Sequence, residues 1–461
     1  MLKRKTFVQF LLLAAAAGLI YWVLQMLWAS DGRQTPPPIP SENEGVNMEY
    51  RRYDKNNRLA LEIRCRHSDT QGDGTLSMSA PEGKLFLKGK QEPMTFSGKS
   101  GLFSKDFQNI TLDGNARVSN PTVSLKSPRL TMEHQRRIQT RTPVVFEHPS
   151  LNGRARGGMD GQVDTNLFKF FDVRGTITKG TRRDAFEAGV FWIMDNENRV
   201  LLQEKVRIHN PRETLTSSWL QLDFSRDAAK EIRLVASLKD SYMTQQTEDG
   251  QQKRVAQGEQ IVTEFLPGGH PDRTRITGSA SLTLSGQGQE DVLRAGVIRL
   301  IFDPKSGVLN GINTDGPSQL SARGRDPFDL EGQEVVIGMK GGEASSFQAG
   351  PVERFQFGVY QGKGSRVSWK RATGQLLVLG PGAQILQGER RFTAPSFEIY
   401  PEKRHLASQG GVRAGLPAGT LPRGSGLADD TQPVWVQSNQ MAFSEREGQT
   451  QFEKDVHLFQ D

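Results

Sequence analysis

The sequence predicts an all-β fold, in which an elongated sheet of repeated antiparallel hairpins is folded over on itself after a single N-terminal transmembrane helix. Three observations predict it. A hairpin-like pattern returns about every 30 residues, a period typical of repeat architectures. Within each copy apolar and polar residues alternate, which indicates strands with one dry and one wet face. Finally, Phe7–Ala29 is a long apolar run without a charged residue.

The apolar run near the N-terminus predicts a membrane anchor. At 1.5 Å per residue it is roughly 35 Å long, enough to cross a bilayer of about 30 Å. Lys3, Arg4 and Lys5 precede it, which predicts a cytoplasmic tail over residues 1–5 and a transmembrane helix over residues 6–29. A cleaved signal peptide is the alternative, but its apolar core is usually about 7–15 residues long.

Composition shifts divide the rest of the chain. A stiff Pro-rich linker is expected over residues 30–45, because the segment QTPPPIP favours an extended backbone. A first β region is expected over 46–239, a polar loop over 240–260 and a second β region over 261–461. A further Gly- and Pro-rich stretch, 410–433, predicts a long loop or disorder.

The repeat can be followed through the first apolar residue after each predicted turn. These turns contain the Asp, Asn, Pro and Gly that tight reversals require. The residues that mark the repeat are Ile110, Ile138, Leu167, Val200, Ile232, Ile276, Leu309, Phe347, Leu376 and Leu406. Since a single hairpin cannot bury its apolar face alone, each unit is expected to pack against its neighbours.

The bulk composition limits the size of the core, the choice of partners and the use of disulfides. The chain has 461 residues, of which 35% are hydrophobic, with 48 Gly and 23 Pro, which is lean for a large spherical core. The net charge of +7 suits anionic partners, but the positive residues are scattered and do not form a nucleic-acid-binding patch. Cys65 is the single cysteine, so it cannot form an intrachain disulfide, and we expect a buried thiol.

Sequence signatures of catalysis and metal binding are absent. The chain contains no Gly-x-Ser-x-Gly elbow, no phosphate-binding GxxxxGK[ST] loop and no HExxH motif. Its seven histidines occur singly, without metal-ligand spacing. We therefore expect neither a catalytic residue nor a metal or other cofactor. A glycosidase site stays possible, because its two carboxylates need not be close in sequence.

One face of the predicted strands forms an apolar stripe, which we call the inward stripe. It is either ordinary packed core or the wall of a groove for an apolar ligand. Clusters of aromatic residues around Phe170 and Phe191 favour the groove. The stripe comprises Ile110, Leu112, Val144, Phe146, Val206, Ile208, Leu220, Leu222, Phe224, Ile232 and Leu234.

The chain ends almost at a strand. Val456 and Leu458 continue the apolar alternation to the C-terminus. An exposed sheet edge invites pairing with another chain, so this strand is either an interaction edge for a partner or an ordinary capped edge.

The order of these features resembles the LptC family of lipopolysaccharide export. A basic tail and one membrane helix are followed by the segments Tyr50–Ile63, Ala80–Gly83, Gly101–Val118 and Val123–Met132. The recurrent units "GNARV", "TPVVF", "EKVRI" and "EKDVHLF" are similar to the OstA-type repeat shared by LptC and LptA. The chain carries about twice as many hairpins as an ordinary LptC, and so looks like an LptC-type domain joined to an LptA-like extension.

The resemblance implies a fold, a location and a set of partners. The fold would be an elongated β-jellyroll whose groove binds lipopolysaccharide acyl chains at the inward stripe, without enzymatic activity. The protein would be a single-pass inner-membrane protein with most of the chain in the periplasm. Its first strand, Met48–Arg64, would dock on LptF/LptG-like subunits of an ABC transporter. Its last strand would receive an LptA-like bridge protein or an LptD-like edge of the outer membrane.

Two other functions remain open from the residues alone. A structural β-solenoid scaffold would have the same repeat but a closed core without a lipid ligand. An anchored enzyme acting on envelope glycans would require convergent carboxylates in a polar cleft.

Overall fold

The computed structural model describes residues 45–87, 92–179, 182–226, 231–246, 251–286, 288–324, 327–341, 343–420 and 432–460. The predicted cytoplasmic tail, the predicted transmembrane helix and the linker up to residue 44 lie outside the described residues. Among the described residues, no helix is both long and apolar enough to span a membrane.

The described residues fold almost entirely into strands, so the all-β prediction is confirmed. Two short 3-10 helices, Asp195–Glu197 and Pro401–Lys403, lie in hairpin turns. The first part of the sheet comprises β1 (Gly45–Tyr53), β2 (Leu59–Thr70), β3 (Leu76–Ser79), β4 (Glu82–Leu85), β5 (Met94–Ser97), β6 (Ser100–Phe103), β7 (Ile110–Ser119), β8 (Ser124–Glu133), β9 (Arg137–Thr140), β10 (Val144–His148), β11 (Leu151–Ala155), β12 (Met159–Gln162), β13 (Leu167–Lys179), β14 (Arg182–Met194), β15 (Arg199–His209), β16 (Glu213–Phe224) and β17 (Ile232–Gln246).

The sheet continues without a change of architecture. The strands that follow are β18 (Gln252–Phe265), β19 (Pro271–Gly286), β20 (Gln289–Phe302), β21 (Leu309–Arg323), β22 (Phe328–Gln333), β23 (Val336–Lys340), β24 (Glu343–Ala349), β25 (Val352–Phe357), β26 (Tyr360–Gly364), β27 (Arg366–Lys370), β28 (Gln375–Gln387), β29 (Arg390–Tyr400), β30 (His405–Leu416), β31 (Val434–Ser444), β32 (Gln449–Glu453) and β33 (His457–Phe459).

All these strands join in one antiparallel sheet that grows along a single axis. Most long strands pair with the strands before and after them in sequence. Elsewhere two short strands lie end to end beside one long strand, as where β2 pairs with both β3 and β4. The described strands form about 25 such levels, and at roughly 4.8 Å per level the sheet is about 115 Å long.

A corner near the middle of several long strands folds the sheet over on itself. At each corner the strand register shifts, and two consecutive residues take left-handed φ angles between 50° and 85°. Such a bulge bends the strand, so its two halves belong to two facing walls. These corners are Gly114–Asn115, Glu204–Lys205, Lys239–Asp240, Gly278–Ser279 and Gly410–Gly411. The repeated units GNARV and EKVRI both begin with a corner.

The space between the two walls is filled by two hydrophobic cores. The first contains buried residues from Leu61 to Val235, and the second contains buried residues from Ala256 to Phe443. The sheet crosses this division without interruption, because β17 pairs with β18 over most of its length. The division lies near the segment where the sequence places the boundary between its two β regions.

The residues that mark the repeat occupy equivalent places in the cores. All of them are buried except Leu167. Leu167 pairs with Met194 and is half-buried on the outer face, while the following residue, Phe168, points inward. The repeat was therefore placed correctly, with an offset of one residue at this position.

The polar loop predicted over residues 240–260 is wrong. Residues 240–246 complete β17, and residues 252–260 lie in β18. Both stretches are held in the ladder by their neighbours β16 and β19. Polar side chains are compatible with a strand here because the ladder satisfies the backbone groups whatever the side chains are.

Two other predicted segments also differ from the structure. The single first strand expected over Met48–Arg64 is a hairpin of β1 and β2. Its turn is stabilised by Asp54, whose Oδ1 accepts hydrogen bonds from the backbone N–H groups of Asn56 and Arg58 at 2.8 and 2.9 Å. The loop expected from residue 410 begins later, because β30 continues through Leu416, and residues 421–431 lie outside the described residues.

The corners should be sensitive to the size and conformation of their residues. Gly278 has φ +75°, and a Cβ atom there would lie 2.6 Å from side-chain carbons of Glu259. We expect Gly278→Ala to destabilise the fold by about 1–2 kcal/mol or more, since left-handed backbone alone costs that much for a residue with a Cβ atom. Denaturant unfolding followed by circular dichroism measures the change.

Gly382→Ala is the matched control, because Gly382 lacks a left-handed φ and its Cβ would meet nothing within 4 Å. Its effect should stay within about 0.5 kcal/mol. Equal losses at Gly278 and Gly382 would show that neither the left-handed φ of Gly278 nor its contact with Glu259 determines the cost.

Candidate functional site

The inward stripe lies between the two walls, as expected for ten of its eleven residues. These ten residues are at most 6% exposed. Across the ladder Phe224 pairs with Ile232, and Leu220 pairs with the equally buried Leu202. Alternation in sequence therefore places the stripe on one continuous inner face of the sheet.

Leu234 is the exception, and its predicted inward orientation is wrong. It pairs with Asp223, which points outward and forms an ion pair with Arg199 at 2.8 Å. The register shifts between Ile232 and Leu234, so the inward alternation resumes at Val235, which is 4% exposed. A bulge of this kind cannot be recognised from alternation alone.

The aromatic residues expected to crowd one face are divided between both faces. Phe146, Phe170, Phe186 and Phe191 form an inward cluster with ring centroids 4.7–5.8 Å apart. Phe171 and Trp192 instead lie on the outer face with Lys169, whose Nζ is 5.0 and 4.7 Å from their ring centroids. The aromatic content therefore supports an open groove less than the sequence suggested.

The first core is closed by its own side chains in this structure. Phe146, Phe170, Phe186 and Phe191 are at most 1% exposed. Because close-packed side chains already fill this part of the groove, a ligand could enter it only if the two walls moved apart.

The groove is open where the two cores meet. A cavity of about 700 Å³ lies there, within the range of 300–1,000 Å³ typical of ligand pockets. One side is lined by Ile208, Leu215 and Met243, and the other by Phe265 and Phe302. This cavity combines apolar walls from both cores with a polar rim.

A second opening lies within the second core. It is an apolar slot of about 80 Å³ that is walled by Leu320, Phe328 and Phe347. Asp291 lies at its mouth, where burial raises the pKa of the carboxyl group although Gln289 donates hydrogen bonds to both oxygens at 3.0 and 3.2 Å. The raised pKa means that the charged form of Asp291 is disfavoured in the folded protein.

The two ends of the sheet present edges to solvent. In the described residues β1 pairs only with β2, and β33 pairs only with β31. Val46 is 69% exposed on the first edge, and Val456 and Leu458 are 44% and 45% exposed at the last. Exposed apolar side chains on an unpaired edge are the features that favour strand addition by a partner.

Ionisable groups in the described residues do not form a metal site, since no group of three His, Cys, Asp or Glu side chains is placed to hold an ion there. Cys65 is 6% exposed, as predicted, and burial raises the pKa of its thiol. The Cys65 thiol therefore behaves as a packed apolar side chain.

The fold and groove define an elongated β-groove protein, and the N-terminal part of the chain matches a known family model. Residues 10–178 match the LptC model, described as "Lipopolysaccharide-assembly, LptC-related". This match over the N-terminal part of the chain confirms the resemblance found in the sequence.

One similar solved structure is the crystal structure of LptH, "the LptA homologous periplasmic component of the conserved lipopolysaccharide transport device from Pseudomonas aeruginosa". It has 14% sequence identity and a TM-score of 0.24, and the match covers 30% of this chain and 85% of that chain. No curated protein matches this chain.

The charge state of Asp291 makes stability depend on pH. Because its pKa is raised in the folded state, ionisation of Asp291 opposes folding above the pH at which exposed aspartates titrate. Asp291→Asn should therefore raise the melting temperature at pH 7 by roughly 1–2 °C. The gain should disappear as the pH is lowered towards about 4, which thermal unfolding at several pH values measures.

Asp329→Asn provides the control of opposite sign. A side-chain hydrogen bond from Arg323 is the main cause that lowers the pKa of Asp329, so this carboxylate stabilises the fold at neutral pH. Its replacement should cause a small loss that fades as the pH falls. A loss on Asp291→Asn at pH 7 would contradict the assigned environment of Asp291.

Proposed function

We propose that this chain is an inner-membrane-anchored periplasmic component of lipopolysaccharide export. It binds the acyl chains in its groove and passes them from an ABC transporter to a periplasmic bridge. The observation that carries the proposal is the cavity of about 700 Å³ between the two cores. Through this cavity an apolar ligand could enter the groove. The groove extends from the cavity along the inward stripe in one direction and along the second core in the other.

Burial of an acyl chain can provide the free energy that opens the closed part of the groove. Each buried methylene contributes about 0.8 kcal/mol, so a chain of about twelve carbons contributes on the order of 10 kcal/mol. Separating the walls exposes side chains such as Phe146 and Leu220, but the inserted chain covers them again. The exchange replaces one apolar contact by another and needs no chemical step.

The two free edges support the proposed positions of the partners. The hairpin of β1 and β2 is the end nearer the predicted anchor, Phe7–Ala29, and would dock on LptF/LptG-like transporter subunits. The last edge, with Val456 and Leu458, would receive an LptA-like bridge protein or an LptD-like edge. Antiparallel strand addition at each edge would continue one groove across the proteins.

A closed scaffold is the second candidate, and the packing of the first core favours it. If the walls never separate, the inward stripe is only structural and the protein is a β-solenoid spacer about 115 Å long. The two candidates differ in whether lipid ever contacts an inward side chain.

In-cell photocrosslinking distinguishes these candidates. A photoreactive residue at Met243 would face the central cavity, whereas one at Tyr242 would face solvent, because Tyr242 is 38% exposed on the opposite face. We expect a lipopolysaccharide adduct at position 243 and none at position 242. The same contrast is expected deeper in the stripe between Phe224, which is 6% exposed, and the neighbouring outward residue Gln221.

Adducts at Met243 alone would mean that lipid reaches the cavity but not the first core. Absence of adducts at both inward positions, in a folded and membrane-bound protein, would reject the conduit and favour the scaffold. Equal adducts at inward and outward positions would show only non-specific contact.

The proposed partner edge can be tested separately. Leu458→Lys places a charge on the exposed edge and should reduce copurification of an LptA-like partner at least several-fold without lowering stability, since Leu458 is 45% exposed. Gln361→Lys is the control and should leave copurification unchanged, because Gln361 is exposed on the interior strand β26, which is paired on both sides. Unchanged binding by Leu458→Lys would remove β33 as the docking edge.

A further inference from the structure

A charged position interrupts the inner face of the second region near the rim of the groove. In the ladder, Gln245 pairs with Arg254, Arg254 with Leu284, and Leu284 with Asp291. Residues that pair across a sheet share one face, so these side chains form one row. Two residues further along the strands the row is entirely apolar, with Ala256, Leu282 and Leu293 buried.

Two connected spaces lie against this row. The apolar slot of about 80 Å³ lies inside the core, and a more open space of about 260 Å³ lies at its mouth. They share the lining residues Leu284, Asp291 and Arg371. Arg254 lines the outer space but not the slot. A molecule that occupied both would have an apolar end inside and a polar end beside Arg254.

The guanidinium of Arg254 belongs to a half-buried residue that forms no ion pair with any other described residue. Burial lowers the pKa of Arg254, and the charge of Glu213 opposes this only in part. The Glu213 carboxylate instead accepts a hydrogen bond from Gln245 Nε2 at 2.7 Å. Among the described residues Arg254 forms no ion pair, whereas Arg371 at the same mouth is paired with Glu343.

A desolvated cation is costly unless an anion approaches it. Its planar fork of donors matches the oxygens of a phosphate or a carboxylate. The apolar slot begins about two residues away along the strands, which corresponds to roughly 7 Å. An anionic group attached close to the start of an alkyl chain would therefore satisfy both parts of the site.

We propose that the mouth of the second core is a binding site for an anionic amphiphile, with its phosphate or carboxylate on Arg254 and its alkyl chain in the slot beside Leu320 and Phe347. This inference rests on the proposed function in taking a lipid as the ligand. It goes further by assigning a headgroup charge that the site selects and the arginine that selects it. A neutral headgroup would not supply the negative charge that no described residue brings to Arg254 as an ion pair.

Photolabelling of the full chain in detergent-free lipid nanodiscs tests the site. The probes are dodecyl phosphate and dodecyl maltoside, each with a diazirine at the end of its chain, and adducts are mapped by mass spectrometry. We expect the phosphate probe to label residues around the slot at concentrations at least tenfold lower than the maltoside probe. Inorganic phosphate at equal concentration should not compete, because it lacks the alkyl chain.

Four variants separate the effect of charge from the effect of shape. Arg254→Gln should weaken labelling by the phosphate probe at least tenfold and leave the maltoside probe unchanged, while Arg254→Lys should keep part of the preference. Arg275→Gln is the matched control, because Arg275 is an exposed arginine on the outer face of the adjacent strand β19. Ala322→Phe, which fills the slot, should block both probes.

Several outcomes would overturn the proposal. They are equal labelling of the wild-type chain by both probes, equal losses for Arg254→Gln and Arg275→Gln, or full competition by inorganic phosphate. If Arg254→Gln does not fold, the comparison of the two probes on the wild-type chain decides. Crosslinking of lipopolysaccharide to Met243 in cells is a separate measurement. If those adducts form but the phosphate probe is not preferred over the maltoside probe, this site is rejected while the proposed conduit stands.

Discussion

The architecture depends on a backbone constraint in the middle of the long strands. Residues with left-handed φ angles, such as Gly114 and Asn115, bend a strand so that its two halves face each other. Without the bend, the inner face of a sheet about 115 Å long would remain exposed to water. With it, two apolar half-strands cover one another at every level. The corners therefore convert a simple alternation of residues into a groove with an interior.

Stability in this fold is local, because each level contacts mainly the levels beside it. Such arrays gain stability from neighbouring interfaces and do not need one large core or a disulfide. This explains how a chain with 35% hydrophobic residues and one cysteine folds over such a length. It also explains why the interior can be packed around Phe146 and open near Met243, since the density at one level places little constraint on a distant one.

The variation in packing along the groove has consequences for function. The first core is closed, the junction holds a cavity and the second core contains a slot whose mouth carries Arg254. A lipid that moved along this path would meet sites of different openness and charge, all built on one continuous ladder. Within the described residues the first and last strands each have one unpaired edge, where a further strand could add because backbone pairing does not depend on the identity of the added side chains.

Much of this could be predicted from the sequence, because alternation and turn residues are local signals. The all-β class, the repeat and ten of the eleven stripe residues follow from the period of two, which determines which side chains share a face. The family resemblance rested on the order of such units. The errors occurred where a strand bulges or where neighbours impose a ladder on polar residues, as at Leu234 and over residues 240–260.

Only the tertiary structure decided how the two walls meet. Whether facing side chains fill the groove, leave a cavity or bury a cation depends on contacts between residues far apart in sequence, such as Met243 with the wall that carries Phe302. Arg254 illustrates this, since its position in an alternating polar segment gives no sign of burial. The sequence determined which residues face inward, while three-dimensional packing decided where that interior is open, because packing depends on the volumes of both walls together.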